Sequence, residues 1–104
     1  MPPQRPRARR YPFVATIELT DVQSDALITA RTSDLSLYGC QVETEKSLPP
    51  EAKIRIRISY RGATFATLAR VIHIRPNAGI GIAFINVDPK DQLVLDKWLA
   101  ELRD

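Results

Sequence analysis

Apolar and polar residues alternate with period two along most of the chain, which is the pattern of half-buried β-strands. In residues 13–20, Phe13, Ala15, Ile17 and Leu19 fall on one face, so a first strand is expected there. The polar stretch 21–25 reads as a turn, and residues 26–33 as a second strand with β-favouring Ile28, Thr29 and Thr32. A short third strand over 40–44 ends before the loop at Pro49-Pro50. Residues 53–60 alternate most cleanly, with Ile54, Ile56 and Ile58 facing in and Lys53, Arg55 and Arg57 facing out. Arg61-Gly62 predicts a tight turn into a strand over 64–75, and Pro76-Asn77-Ala78-Gly79 another into Ile80–Phe84. Six short strands at hairpin spacing leave exposed edges as a flat sheet, and closure removes them. An all-β-dominated, six-stranded antiparallel β-barrel is the expected fold.

The period changes after residue 87. Asp88-Pro89-Lys90-Asp91 has the order of an N-cap, a first-turn proline and an acidic first turn. Leu95, Trp98, Leu99 and Leu102 then recur at helical spacing, predicting a C-terminal α-helix over about 89–102. Its apolar stripe is expected to pack on the barrel or plug one end; a partner-binding face is the other reading.

Length and composition narrow this picture. The chain has 104 residues, 44% hydrophobic and 26% charged, which suits one globular domain over 11–104. No apolar run reaches membrane-spanning length, and no apolar h-region follows the N-terminal arginines. A cytoplasmic protein without membrane insertion is expected. Cys40 is the single cysteine, which excludes an intramolecular disulfide; beside Val42 in a strand it reads as a buried apolar filler rather than a catalytic thiol.

Charge adds a feature that the alternation does not show. The net charge is +3, yet setting aside Arg5, Arg7, Arg9 and Arg10 leaves 11 basic residues against 12 acidic ones. The basic character is therefore a local Arg/Pro-rich arm, residues 1–10, expected to be mobile in the free protein and to attract an anion.

The segment Asp34-Leu35-Ser36-Leu37-Tyr38-Gly39 carries the most chemistry. Asp34 offers two acceptor oxygens, a match for paired N–H donors such as those on a guanine edge. Ser36 adds a hydroxyl, and Gly39 permits a conformation or close approach that a Cβ would forbid. An Asx-type turn with no ligand is the alternative. The arm supplies guanidinium groups, with Arg5 and Arg9 four apart; these bind phosphate bidentately, reach the O6/N7 edge of guanine and stack on its ring. A solvated tail is the alternative there.

Together the two elements resemble the PilZ family, whose signature is R-x-x-x-R near the start and D/N-x-S-x-x-G about one hairpin later. Asp34, Ser36 and Gly39 match the second motif in full, and Arg5 and Arg9 match the first. The resemblance continues through Arg70-Val71-Ile72-His73-Ile74 and Gly79–Phe84 to the helix. In many family members the second arginine directly precedes an apolar-Pro-apolar stretch, which points here to Arg10 before Tyr11-Pro12-Phe13; four residues before Arg10 stands Pro6. The resemblance implies a barrel with cyclic di-GMP against its outer wall, contacted by Arg5, Arg9, Arg10, Asp34 and Ser36, with Gly39 shaping the turn. It implies a receptor or adaptor in bacterial second-messenger signalling that acts through a separate protein effector; a PilZ-like protein–protein adaptor that binds no nucleotide is the other reading.

Other classes fit poorly. His73 is the only histidine and no Cys/His cluster exists, so neither a metal site nor an enzyme is expected, and no cofactor. Gly79-Ile80-Gly81 reads as a turn entering a strand rather than a phosphate loop. Binding to a nucleic-acid polymer needs surface aromatics, whereas of seven aromatics Phe13, Phe65, Phe84 and Trp98 read as core. Lys53, Arg55 and Arg57 form either a second basic surface or a solvated strand face.

Overall fold

The computed structural model describes residues 8–103, arranged as seven strands and one helix. The strands are β1 (Tyr11–Pro12), β2 (Thr16–Asp21), β3 (Leu27–Leu35), β4 (Gly39–Glu43), β5 (Lys53–Tyr60), β6 (Ala63–Arg75) and β7 (Gly79–Ile85), followed by α1 (Pro89–Arg103). All pairings are antiparallel, in the order β3-β2-β5-β6-β7-β4, and β3 pairs again with β4 to close a six-stranded barrel. The two-residue β1 is an extra strand, set against the end of β3 with Tyr11 opposite Leu35 and Pro12 opposite Asp34.

The inward positions carry the alternation into the core. Ile17 and Leu19 of β2, Ile54, Ile56 and Ile58 of β5, and Ile80 and Ile82 of β7 are buried with Phe65, Ala69 and Val71 of β6. Arg61 (φ 49°) and Gly62 (φ 78°) both take positive φ, the geometry of the type I′ turn that matches strand twist between β5 and β6. The helix covers one end of the barrel. Leu95 and Trp98 are buried, and Trp98 lies 5.5 Å from Phe13, 5.8 Å from Tyr60 and 6.4 Å from Phe65 between ring centroids. The helical stripe thus plugs the barrel, and its buried residues are not a free binding face.

Asp91 has a second role beside its place in the acidic first turn. β7 stops pairing with β6 at Leu68, leaving residues 63–67 of β6 with an open edge. The buried Asp91 carboxylate accepts the Ala66 N–H at 3.0 Å, and the Thr67 hydroxyl donates to the Ile85 carbonyl at 3.1 Å. One N–H of the edge that β7 leaves is thus taken up by a side chain, and the last β7 carbonyl by a β6 hydroxyl.

The strand expected over 13–20 is interrupted. Phe13 and Ala15 point into the core as anticipated, but regular pairing begins only at Thr16, and Val14 is exposed. The cause lies in Thr32 of β3, whose buried hydroxyl donates to the Phe13 carbonyl at 2.6 Å and accepts the Ala15 N–H at 3.0 Å. One side-chain oxygen satisfies two main-chain groups that a continuous ladder would have paired. Thr32→Val keeps the shape but strands both groups in the interior, where each costs about 1–3 kcal/mol. We expect chemical denaturation to show a loss of about 2–4 kcal/mol with an unchanged denaturant slope.

Candidate functional site

Asp34 owes its position to a β-bulge. On β3 the register against β4 slips between Thr32, opposite Val42, and Asp34, opposite Gln41, so Ser33 is an extra residue. Uninterrupted alternation from the inward Thr32 would send Asp34 into the core and Leu35 out. The extra residue reverses this: Thr32 and Leu35 are both buried, and Asp34 stands on the outer wall.

The carboxylate has two neighbours there. One oxygen accepts the Gln41 N–H at 3.0 Å, and the other faces Arg10 Nη1 at 3.5 Å. The Asp34 side chain is 24% exposed and that of Arg10 54%, so this is a surface pair of modest strength, about 0.2–1 kcal/mol. Arg9 turns the other way, its guanidinium carbon 5.6 Å from the centre of the Tyr11 ring. Of the two registers open in the arm, Arg10 is the arginine the fold brings to Asp34. Arg5 and Arg7 lie outside the described residues, as do the first seven positions of the arm.

Ser36 and Gly39 bracket the β3–β4 turn. The buried Ser36 hydroxyl accepts the N–H groups of Tyr38 and Gly39, each at 3.2 Å, and donates to the Gly39 carbonyl at 3.2 Å. The Ser36 N–H also reaches that carbonyl, at 2.8 Å. All the hydroxyl's bonding capacity is spent inside the turn, so in this conformation Ser36 holds the loop and offers no free group to a ligand. Leu37 and Tyr38 form the exposed tip, and the Tyr38 carbonyl accepts the Phe84 N–H at 2.8 Å, tying the loop to β7.

Gly39 is required by close approach. A Cβ at this position would stand 2.0 Å from the Ile82 carbonyl oxygen, a backbone atom with no freedom to retreat. Its φ is not positive, so the turn itself does not demand glycine. Cys40 follows, buried as a filler of the core. Burial pushes its thiol well above the usual range, the Asp34 charge adds to that, and Arg10 opposes it, so the thiolate a nucleophile needs is disfavoured.

Two residues beside Asp34 escape the sequence reading. Gln41 Oε1 accepts a hydrogen bond from Arg75 Nη2 at 3.3 Å across β4 and β6. The pair borders a recess of about 400 Å³ shared with Ser33, Glu43 and Gly79. The alternation Cys40-Gln41-Val42 marks Gln41 as outward, but Arg75 enters only through the fold. His73 is exposed on β6. Among the described residues no group of three His, Cys, Asp or Glu side chains is placed to hold a metal ion, and no helix is long and apolar enough to cross a membrane. Gly39→Ala forces the two strands apart, and we expect a loss of about 3 kcal/mol or more, read as a fall in thermal midpoint, even without ligand.

The barrel recurs in solved structures. The PilZ domain of CeSA from a cellulose-synthesizing bacterium superposes with a TM-score of 0.72 at 22% identity, covering 92% of this chain and 99% of that one. The PilZ domain of YcgR from Escherichia coli, solved with c-di-GMP, gives 0.77 at 21% identity over 96% of this chain and 92% of that one. The Bacillus subtilis inhibitor of motility gives 0.78 at 16% identity, matching 96% of this chain and 52% of that longer one. No curated protein matches the sequence. The family model for the PilZ domain matches residues 4–101, from the arginine arm through the barrel to the helix, and the chain belongs to the PilZ domain family.

Proposed function

We propose that the domain is a cyclic di-GMP receptor that signals to a separate protein effector and catalyses no reaction. The observation that carries this reading is the outward Asp34 carboxylate with Arg10 at 3.5 Å, above a turn locked by Ser36, in a member of the PilZ family. The YcgR PilZ domain, which shares the fold, was solved with this nucleotide.

In this mechanism the guanine's adjacent N–H donors bind Asp34, one of whose oxygens is held in orientation by the Gln41 N–H. Arg10 is then free to turn from the carboxylate to a phosphate or to the ring face, exchanging one charge partner for another. Arg9 leaves Tyr11 for the same ligand, and Arg5 joins from the arm. Ser36 and Gly39 act by fixing the loop, and Arg75 beside Gln41 extends the cationic surface along the wall.

The energetics require several contacts. Micromolar binding needs about 8 kcal/mol. Ordering each arm residue costs roughly 1–2 kcal/mol, and each hydrogen bond to a charged group returns about 1.5–3 kcal/mol. One arginine does not offset five or six ordered residues; several charge-assisted contacts acting together, with stacking and the hydrogen bonds to Asp34, are required. Binding therefore re-partners Arg9 and Arg10 and orders the arm that precedes them over the ligand, and the arm so arranged is the surface an effector reads.

Isothermal titration tests the reading. We expect saturable binding of cyclic di-GMP, with cyclic di-AMP and GMP much weaker. Arg10→Ala should lower affinity about tenfold or more while leaving the thermal midpoint of the free protein nearly unchanged, because the ion pair it removes is exposed. No heat and no thermal shift with saturating nucleotide would replace this reading with a nucleotide-independent adaptor. Hydrogen exchange checks the switch separately: arm amides should gain protection with ligand, and equal exchange in both states would refute the ordering step.

A further inference from the structure

The circular strand order puts β5 and β6 farthest from the β3–β4 hairpin, so the wall they form lies across the barrel from Asp34. This wall is basic. Lys53, Arg55 and Arg57 stand exposed between the buried isoleucines of β5, and Arg70 of β6 is exposed directly opposite Lys53. Like charges directly opposite on neighbouring strands destabilise a sheet. Among the described residues none of these four cations has an ion pair, the one pair being that of Arg10 with Asp34. Glu18 is the β2 neighbour of Arg57 in register, yet the two do not pair.

The charges flank a depression rather than a flat face. Glu18, Thr20, Leu27, Arg55, Arg57 and Ala66 border a shallow recess of about 430 Å³. Leu27 is 55% exposed and Ala66 half-buried, so apolar surface lies within reach of two unpaired guanidinium groups.

We propose that this wall docks an acidic protein segment, one that presents two or three carboxylates to Lys53, Arg55, Arg57 and Arg70 and one apolar side chain to the recess. The spacing sets the match. Outward residues two apart on a strand lie about 6.6–6.8 Å from each other, which an extended partner reproduces with Asp or Glu at alternate positions. Each arginine then takes a carboxylate in a two-point hydrogen bond. Such a partner places an opposite charge between Lys53 and Arg70.

Two other polyanions fit less well. A nucleic acid would stack bases on aromatic side chains, and this wall has none facing out: Tyr60 turns in toward Phe13 and Trp98, and Phe65 is buried. Glu18 at the recess repels a phosphate chain but suits a protein, whose backbone N–H groups it can accept. An anionic membrane would need a cluster of apolar residues to insert, and the exposed or half-exposed Leu27, Leu68 and Ile72 are instead interspersed with Arg55, Arg57 and Arg70. Because the wall lies opposite Asp34, a partner here does not compete with a ligand there, and the inference does not depend on the nucleotide reading.

The test is a selection of displayed random dodecamer peptides on the intact chain, with and without cyclic di-GMP, followed by amide chemical-shift mapping of the best binder. We expect enriched peptides with at least two Asp or Glu and one large apolar residue, and shifts centred on residues 53–57 and 66–70. An Arg55→Glu/Arg57→Glu double variant should bind at least tenfold more weakly. Arg57→Glu puts a carboxylate opposite Glu18, so a modest fall in its thermal midpoint is expected. The Arg55→Gln/Arg57→Gln pair adds no like charge, is expected to lose about fivefold in binding with its midpoint held, and serves as the folded control. Failure to enrich any peptide, enrichment without carboxylates, indifference to charge reversal, or shifts confined to another wall would each overturn the proposal. So would tighter binding at this wall of a single-stranded oligonucleotide or of phosphatidylserine vesicles than of the selected peptides.

Discussion

Closure of β3 onto β4 is the constraint on which the rest of the structure depends. β3 pairs with β2 along residues 27–31, with β4 along 31–35, and with β1 at its end. A strand serving three partners has to bend, and a regular strand cannot do so while keeping its apolar residues inside. The single extra residue at Ser33 supplies the bend and exchanges the faces at the same point. Before it, Ile28 and Thr32 face the core; after it, Leu35 does, and Asp34 is turned outward. Barrel closure and presentation of the carboxylate are thus one event.

The same region shows polar side chains taking over where backbone ladders fail. Thr32 bridges Phe13 and Ala15, Ser36 fills its own turn, and Asp91 takes an N–H from the open edge of β6. Each is buried, and among the described residues no buried side-chain polar atom is left without a partner. This is how a small barrel accommodates an interrupted strand, a tight turn and part of an unpaired edge.

These features divide what a sequence shows from what it conceals. Strand β5 was fully legible because Ile54, Ile56 and Ile58 alternate with charges, and a period of two needs no distant partner to be read. The helix was legible for a similar reason, with Asp88-Pro89 marking its start and Leu95 and Trp98 its buried side. The bulge was not: Thr32-Ser33-Asp34 has no local signature, and its need arises from pairing β3 with strands on both sides. The motif at Asp34, Ser36 and Gly39 could be found by pattern, yet the requirement for Gly39 comes from the carbonyl of Ile82, 43 positions along the chain. Likewise Gln41 and Arg75 meet only because β4 and β6 both flank β7.

The short strand β1 has a consequence of its own. Pro12 sits opposite Asp34, and Phe13 is clamped beneath Trp98, so the chain is fixed to the barrel two residues from Arg10. Fully extended chain covers at most about 3.3–3.6 Å per residue, which confines Arg9 and Arg10 to a small volume around the carboxylate. For any anion that reaches Asp34, the guanidinium groups are then present at an effective concentration of the order of millimolar, whatever the amount of protein in the cell. The tether makes their capture of the ligand an intramolecular step, and lengthening the chain between Arg10 and Tyr11 would dilute Arg9 and Arg10 while leaving the pairing of β1 and the barrel in place.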